Sequence, residues 1–198
     1  MSRAGLALFG CIVLAAFLIA PPLLVWSQRK EMRNFRIVRE GVLYRSGQLS
    51  LRGLKRAVHD YGIRTVVSLR DGHAPADRDE EQFCQEQGIT FIRIPPRAWE
   101  GPGGRAPVEL GVADFLKVMR DPANHPVLLH CFAGVHRTGA YTAIYRMEFE
   151  GWGNARAMAE MKDCGYEALD HEWDISRFLG SYRPGERGAL SLPDGKRR

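Results

Sequence analysis

The chain has 198 residues, of which 45% are hydrophobic and 26% charged, enough for one globular domain with appendages and too few for a second enzyme. Its formal net charge of +5 at pH 7 favours an anionic membrane surface or a phosphate-rich substrate. The basic residues are dispersed and accompany no recognisable nucleic-acid-binding module, so we expect no nucleic-acid partner. The four cysteines are Cys11, Cys84, Cys131 and Cys164. Their spacing is not that of metal ligands, so we expect no zinc site and no cofactor.

An uncharged, largely apolar stretch runs from position 4 to position 26. It is long enough to span a hydrocarbon core of about 30 Å, which predicts a transmembrane anchor over residues 1–27. The alternative is a secretory signal cleaved after Ala20, but Pro21 follows directly and no A-x-A pattern is present. Basic residues are more numerous after the stretch than before it, so positive-inside counting favours a single-pass protein with a cytoplasmic domain. The alternative is a domain on the extracytoplasmic side of the membrane.

Alternating strands and helices are predicted for the domain that follows, residues 28–182. A short hairpin at 35–45 comes first, and the spacing of Leu51, Leu54, Val58 and Tyr61 marks one face of a helix. Later patterns predict strands at 65–69, 89–94 and 126–130, and helices at 79–87, around 112–119, and at 140–150, 153–163 and 170–180. This alternation predicts an α/β fold with a mostly parallel central sheet flanked by helices. Residues 183–198 are rich in glycine, proline and arginine and are predicted to form a flexible basic tail.

A cysteine and an arginine separated by five residues follow the predicted strand at 126–130, in the sequence HCFAGVHRTG. If residues 132–137 form a loop whose N–H groups point inward, with a helix N-terminus aimed at the same place, the loop holds a phosphate dianion without a lysine. The same positive potential lowers the pKa of Cys131 from about 8.5 to a range of about 3.5 to 7.5, so that the thiolate is its resting form. Arg137 supplies a planar fork for two phosphate oxygens, and Gly134 supplies backbone freedom.

The other polar residues of this segment have predicted supporting roles. His130 is expected to orient the loop rather than act as a base, because an ionised sulfur needs none. Thr138 is expected to donate its hydroxyl to that sulfur. His136 either contacts the substrate or fills the turn of the loop. The predicted substrate-binding residues are those of the loop itself: Phe132, Ala133, Gly134, Val135, His136 and Arg137.

Residues 130–139 resemble the signature loop of cysteine-dependent protein phosphatases, H-C-x-x-G-x-x-R-[S/T]-G, at every fixed position. Two further stretches are similar to the compact, atypical dual-specificity phosphatases of bacteria, plants and fungi: NFRIV with GVLYRSGQ at 34–48, and TVVSLR at 65–70. The resemblance covers roughly residues 34–180 of a domain of ordinary size. It implies a phosphatase fold in which Cys131 forms a phosphocysteine, Arg137 binds the phosphate, and no metal takes part.

The residue that protonates the leaving group is less clearly indicated. In larger dual-specificity enzymes it is an aspartate about thirty residues before the cysteine, and this chain has none there. One candidate is Glu100, next to Trp99, which would shield it from water. The other is Asp71, directly after the predicted strand at 65–69, and acidic residues at that place in compact relatives favour it slightly. Water as the proton donor is the third possibility.

Three substrate classes are compatible with the resemblance: phosphotyrosine, other phosphoprotein side chains, and inositol phosphates or pyrophosphates, on which compact plant and fungal relatives act. Phe132, Ala133 and Val135 add no lysine around the pocket, so no strong attraction for a highly phosphorylated ring is evident. This slightly favours phosphotyrosine. An alternative of another kind is a phosphate-binding pseudoenzyme, which captures a phosphorylated partner without turnover because no acid is in place.

Overall fold

Five strands make up the sheet at the centre of the protein. They are β1 (Arg36–Arg39), β2 (Leu43–Ser46), β3 (Thr65–Ser68), β4 (Thr90–Arg93) and β5 (Val127–His130). The computed structural model describes residues 31–104 and 106–185. The strands are arranged in the order β1-β2-β5-β3-β4, and the four strands from β2 to β4 are parallel. The predicted α/β fold is confirmed, with the correction that the sheet is mixed: β1 joins β2 through the expected hairpin and is therefore antiparallel to it.

Six α-helices and three short 3-10 segments connect and cover these strands in the described residues. The helices are α1 (Leu51–Tyr61), α2 (Pro75–Glu86), α3 (Val108–Arg120), α4 (His136–Glu150), α5 (Asn154–Asp163) and α6 (Trp173–Gly180). The 3-10 segments are Pro102–Gly104, Pro122–Asn124 and Glu167–Asp170. The predicted helices are all present, and α4 begins at His136, four residues before the predicted start at 140, because the turn at Gly134 is already complete there.

Alternation of side chains along the strands divides the core into two apolar layers. Val66 and Leu128 face one side of the sheet, where they pack with residues of α1 and α2. Val67 and Leu129 face the other side, where α3, α4 and α6 supply most of the packing partners. Strands β2, β3 and β5 are buried at every residue, as expected for central strands covered by helices on both faces.

The predicted membrane localisation is corrected by the structure. Within residues 31–104 and 106–185, none of the helices has both the length and the apolar character needed to cross a bilayer. A single-pass membrane protein, and a membrane as partner through an N-terminal helix, are therefore not supported. The proposed anchor at 1–27 lies outside the described residues, as does most of the predicted tail.

Candidate active site

The predicted nucleophile, Cys131, directly follows the central strand β5, in a loop that leads directly into α4. Cys131 is only 2% exposed, and the backbone N–H of Gly134 donates to its Sγ at 3.3 Å. Gly134 has a φ of +75°, and a Cβ at this position would lie 2.3 Å from the backbone nitrogen of Gly47. The loop therefore needs glycine both for its conformation and for its close contact with the end of β2.

The surroundings of the sulfur favour the thiolate. Burial by itself raises the pKa of the Cys131 thiol, but the hydroxyl and amide of Thr138, the amide of Gly134 and the charge of Arg137 together outweigh burial and hold the pKa below its ordinary value. Thr138 is fully buried, and its hydroxyl has no hydrogen-bond partner of standard geometry within the described residues. Its hydroxyl and amide are the largest influences that lower the pKa of the Cys131 thiol, and donation from the hydroxyl to the sulfur stays a prediction.

Arg137 is held beside the loop by the neighbouring strand. It lies in the first turn of α4, and its Nη1 donates to the carbonyl oxygen of Leu69 at 2.5 Å. Leu69 directly follows β3, which pairs with β5 in the sheet. The parallel pairing of β3 and β5 thus fixes one end of the guanidinium, and within residues 31–104 and 106–185 its remaining N–H groups stay available for an anion.

His130 belongs to a buried polar cluster beneath the loop. Its Nε2 lies 3.1 Å from Oε2 of Glu80, and the same oxygen accepts a hydrogen bond from Nε2 of Gln48 at 3.1 Å. His130 is 1% and Glu80 4% exposed, so both side chains are enclosed in the protein interior. This placement fits an orienting role and not that of a base at the reaction centre.

The two candidate acids lie in different surroundings. Asp71 is exposed, accepts a hydrogen bond from the backbone N–H of His73 at 3.3 Å, and lies two residues beyond the Leu69 carbonyl that Arg137 contacts. Glu100 instead faces Arg177 of α6, with 3.7 Å between Oε1 and Nη1. It lines a pocket of about 220 Å³ whose described lining includes neither Cys131 nor Arg137. The fold therefore brings the Asp71 loop to the site and directs Glu100 toward α6.

An exposed aromatic side chain of the Cys131 loop lies beside partly buried basic side chains, and we call this edge the rim. Phe132 is 54% exposed, with the guanidinium carbons of Arg33 and Arg70 at 4.5 and 5.3 Å from its ring centroid. On the other side, Nε2 of His136 lies 2.9 Å from Oε2 of Glu172, so that the carboxylate fixes the imidazole. Of the predicted substrate-binding residues, Phe132 and His136 thus place their side chains at the rim.

The sequence family described as "DSP-PTPase phosphatase fused to NAD+ Kinase" matches residues 22–173, well over half of the chain. The chain belongs to this family. The resemblance to compact dual-specificity phosphatases is thereby confirmed.

Curated relatives in the same group of phosphatases include bacterial and plant proteins. The dual specificity protein phosphatase TpbA of Pseudomonas aeruginosa is 32% identical over 102 residues, which cover 46% of this chain and 47% of TpbA. The inositol diphosphatase DSP1 of Oryza sativa is 33% identical over 129 residues, or 65% of this chain and 51% of that protein. The chain thus spans about half the length of the curated relatives it matches.

Solved structures share the fold. The core catalytic domain of the PP-IP phosphatase SIW14 from S. cerevisiae, solved with citrate, has a TM-score of 0.63 at 22% identity and covers 79% of this chain and 90% of that chain. The structure of P. aeruginosa TpbA has a TM-score of 0.59 at 24% identity and covers 76% of this chain and 85% of that chain. At these identities the likeness shows the α/β phosphatase fold.

Several residues at the site of this family member were not singled out from the sequence. Asn34 and Arg45 donate side-chain hydrogen bonds to carbonyl oxygens of the loop, and Glu80 pairs with His130. One feature of the sequence indicated a special role for Arg45: it is a charged residue within β2, a short strand at the centre of the sheet. Glu80 gave no such signal, because it lies in a helix of mostly polar sequence.

Within the described chain, no cluster of three or more His, Cys, Asp or Glu side chains forms a potential metal site.

Proposed function

We propose that this protein hydrolyses phosphate monoesters through a phosphocysteine intermediate at Cys131. The observation that carries the proposal is the environment of the sulfur, in which the Gly134 amide, Thr138 and Arg137 lower the pKa of a buried thiol. A thiolate held at the floor of a loop of amides is a nucleophile already in place for an in-line attack on phosphorus. Membership of the family and the fold of its solved relatives support the same chemistry.

The reaction has two steps. In the first, a bond forms between Sγ of Cys131 and phosphorus while the bond from phosphorus to the leaving oxygen breaks, and that oxygen takes a proton from an acid. In the second, water attacks phosphorus and gives up a proton to the conjugate base of that acid, and the S–P bond breaks to release inorganic phosphate and the thiolate. Arg137 binds two of the phosphate oxygens and follows them as charge moves onto them, which is where a planar guanidinium is most effective.

For the acid we propose Asp71. Its loop follows β3, and Arg137 donates to the carbonyl oxygen of Leu69, two residues before Asp71, which supports a carboxyl acting beside the phosphate site. The pairing of Glu100 with Arg177 supports this choice, because it directs that carboxylate away from the loop. An exposed aspartate with few partners is also free to approach a bound substrate.

Activity of the full chain toward an aryl phosphate with a good leaving group tests the proposal. The wild-type protein is expected to hydrolyse this substrate. Cys131→Ser is expected to lose at least about a thousandfold in kcat, because the serine hydroxyl is not ionised near neutral pH. Cys84→Ser, the control, is expected to retain activity. A phosphocysteine trapped by rapid acid quenching and located by mass spectrometry would identify the intermediate. Activity retained in Cys131→Ser would contradict the proposal, and inactivity of the wild type would support the phosphate-binding pseudoenzyme.

For the substrate we propose phosphotyrosine in a protein, and one observation favours a second candidate, an inositol polyphosphate. TpbA has been solved with phosphotyrosine, and rice DSP1 is named an inositol diphosphatase. Phosphotyrosine fits an exposed aromatic rim at Phe132. The polyphosphate is favoured by Arg33, which lies against that ring and forms no ion pair within the described residues.

The substitution Arg33→Ala distinguishes the two substrates. With an inositol polyphosphate as substrate, loss of one charge-assisted contact is expected to raise KM by about tenfold. With a neutral phosphotyrosine peptide, KM is expected to change by less than about twofold, because the rim arginine has no second anion to bind. Arg64→Ala is the matched control, since Arg64 is exposed at the start of β3. Failure of the wild type to hydrolyse the polyphosphate at all would remove the second candidate.

A further inference from the structure

Three consecutive carbonyl groups of the phosphate loop accept hydrogen bonds from outside the loop. The oxygen of Phe132 accepts from the backbone N–H of Gln48 at 3.0 Å, and the oxygen of Ala133 accepts from Nδ2 of Asn34 at 2.8 Å. The oxygen of Gly134 accepts from Nη2 of Arg45 at 2.9 Å. All three donors come from residues 34–48, the segment of the hairpin β1–β2 and its flanks.

These contacts decide where the loop's N–H groups point. In a planar trans peptide the carbonyl of one residue and the N–H of the next point in opposite directions. Outward carbonyls at 132, 133 and 134 therefore turn the N–H groups of residues 133, 134 and 135 inward. For one of these three N–H groups the structure shows the acceptor: the Gly134 N–H donates to the sulfur of Cys131.

Arg45 stands out because it is a buried cation without a carboxylate of its own. It is 2% exposed, and its Nε and Nη1 have no hydrogen-bond partner within the described residues. Burial lowers the pKa of Arg45, and the nearby groups that offset this effect are Cys164, Glu160 and Cys131. Glu160 already receives three hydrogen bonds from Arg146. A buried guanidinium needs an anion nearby, and the Cys131 thiolate is one of the groups whose charge favours the protonated form of Arg45, together with Cys164 and Glu160.

We propose that Arg45, assisted by Asn34, is a positioning residue of the anion cradle: it holds the Gly134 carbonyl outward, turns the Val135 N–H inward, and places a buried positive charge beneath the thiolate. The proposal rests on the proposed function of the loop as a phosphate site. It assigns a role to the otherwise unexplained polar residues of the NFR and LYRSGQ stretches.

Asn34 fits this role through its backbone as well as its side chain. Its φ of +49° lies in the left-handed region, which asparagine tolerates better than most residues. That conformation carries the exposed side chain to the outside of the loop, where it reaches the Ala133 carbonyl. Asn34 and Arg45 thus hold adjacent peptide units from two sides.

The test uses the full chain and measures alkylation of Cys131 by iodoacetamide as a function of pH, with inorganic phosphate as the protecting probe and mass spectrometry to locate the label. For Arg45→Met we expect phosphate protection to weaken by about tenfold and the midpoint of the alkylation profile to rise by about one pH unit, because one charge-assisted contact and one buried charge are lost. The melting temperature is expected to stay within a few degrees of the wild type, since an apolar side chain of similar length replaces a buried charge.

Arg36→Met is the matched control. Arg36 pairs with Arg45 across the hairpin, is exposed, and undergoes the same change of charge. We expect its phosphate protection and alkylation midpoint to match the wild type. Equal effects in Arg36→Met and Arg45→Met would overturn the proposal, because net charge alone would then explain them. Unchanged protection in a folded Arg45→Met protein would overturn it too.

Asn34→Gly provides a second variant at an exposed position, where the left-handed backbone is kept and only the amide is lost. We expect it to weaken phosphate protection by about threefold, as for a neutral hydrogen bond. If Arg45→Met does not fold, Asn34→Gly and Arg45→Lys carry the test, and wild-type protection in both contradicts the proposal. Failure of the loop as a phosphate site is a different result, because wild-type Cys131 would then show no protection by phosphate, whereas an inactive protein that binds phosphate would still be protected.

Discussion

Two buried cysteines of this protein differ in ionisation because their neighbours differ. Cys84 is fully buried in an apolar layer, where burial, followed by the charges of Glu80 and Glu81, raises the pKa of its thiol to about 12. Cys131 is buried almost as deeply, yet amides, a hydroxyl and Arg137 lower the pKa of its thiol. Burial therefore does not decide whether a thiol is reactive, and the donors directed at the sulfur do.

The role of Asp71 predicts a dependence on the leaving group. We expect Asp71→Asn to lower kcat roughly a hundredfold for phosphotyrosine, whose phenol has a pKa of about 10 and needs a proton to leave. For an aryl phosphate with a good leaving group the loss is expected to stay below about threefold, because that leaving group departs as an anion. Steady-state kinetics with both substrates measure the difference.

Glu100→Gln is the control for this prediction. Because Glu100 pairs with Arg177 and lines a separate pocket, its substitution is expected to leave both rates unchanged. A leaving-group dependence in Glu100→Gln and not in Asp71→Asn would reverse the assignment. Equal losses for both substrates in Asp71→Asn would show that Asp71 acts on binding or folding instead.

The loop after β3 is attached to the start of α2 by a buried ion pair. Arg70 donates two hydrogen bonds to the carboxylate of Asp77, which also accepts from the backbone N–H of Ala74. Asp77 is fully buried. Burial by itself raises the pKa of the Asp77 carboxyl, but the hydrogen bonds and charge of Arg70 outweigh it and hold the pKa below its ordinary value. This pair therefore fixes the entrance of α2 and, through Arg70, the edge of the Phe132 rim.

The ion pair predicts a stability that depends on pH. Because the folded pKa of Asp77 is depressed, its contribution is fully present above the ordinary carboxyl pKa of about 4 and is lost as the pH falls through the folded value. We expect Asp77→Asn to lower the free energy of unfolding by roughly 2 to 4 kcal/mol at pH 7, since Arg70 loses its charged partner. The difference from the wild type is expected to shrink below pH 4.

Urea unfolding at pH 7 and pH 3 measures this difference, with Asp79→Asn as the control. Asp79 lies on the same helix but is exposed, so its substitution is expected to change the free energy of unfolding by less than about 0.5 kcal/mol. A destabilisation by Asp77→Asn that is equally large at both pH values would contradict the assignment to the charged pair.

Across the whole molecule, local patterns in the sequence predicted the elements and not their arrangement. The apolar spacing of Leu51, Leu54 and Val58 predicted α1 with the bounds it has, and the run at 126–130 predicted β5. The sheet order, with β5 between β2 and β3, depends on pairing between segments far apart in the chain. Periodicity carries no information on such pairing.

The same limit explains what the sequence showed and did not show of the candidate site. Cys131, Arg137 and the Gly134 turn lie within seven residues of one another, so their geometry follows from local order. Arg45 reaches the loop from 89 residues away, and Glu100 is directed to α6 because Trp99 packs against Phe178 with 5.3 Å between ring centroids. Both placements are decided by tertiary packing, which one sequence does not display.

The position of β5 in the sheet has a consequence for how the protein is made. On the ribosome, the strands emerge in the order in which they are numbered, so β1–β2 and β3–β4 exist before β5 does. Neither pair touches the other directly, because β5 lies between β2 and β3. The strand that directly precedes Cys131 is thus the one that joins the two halves. The surroundings of this sulfur are therefore assembled in the same event that completes the sheet.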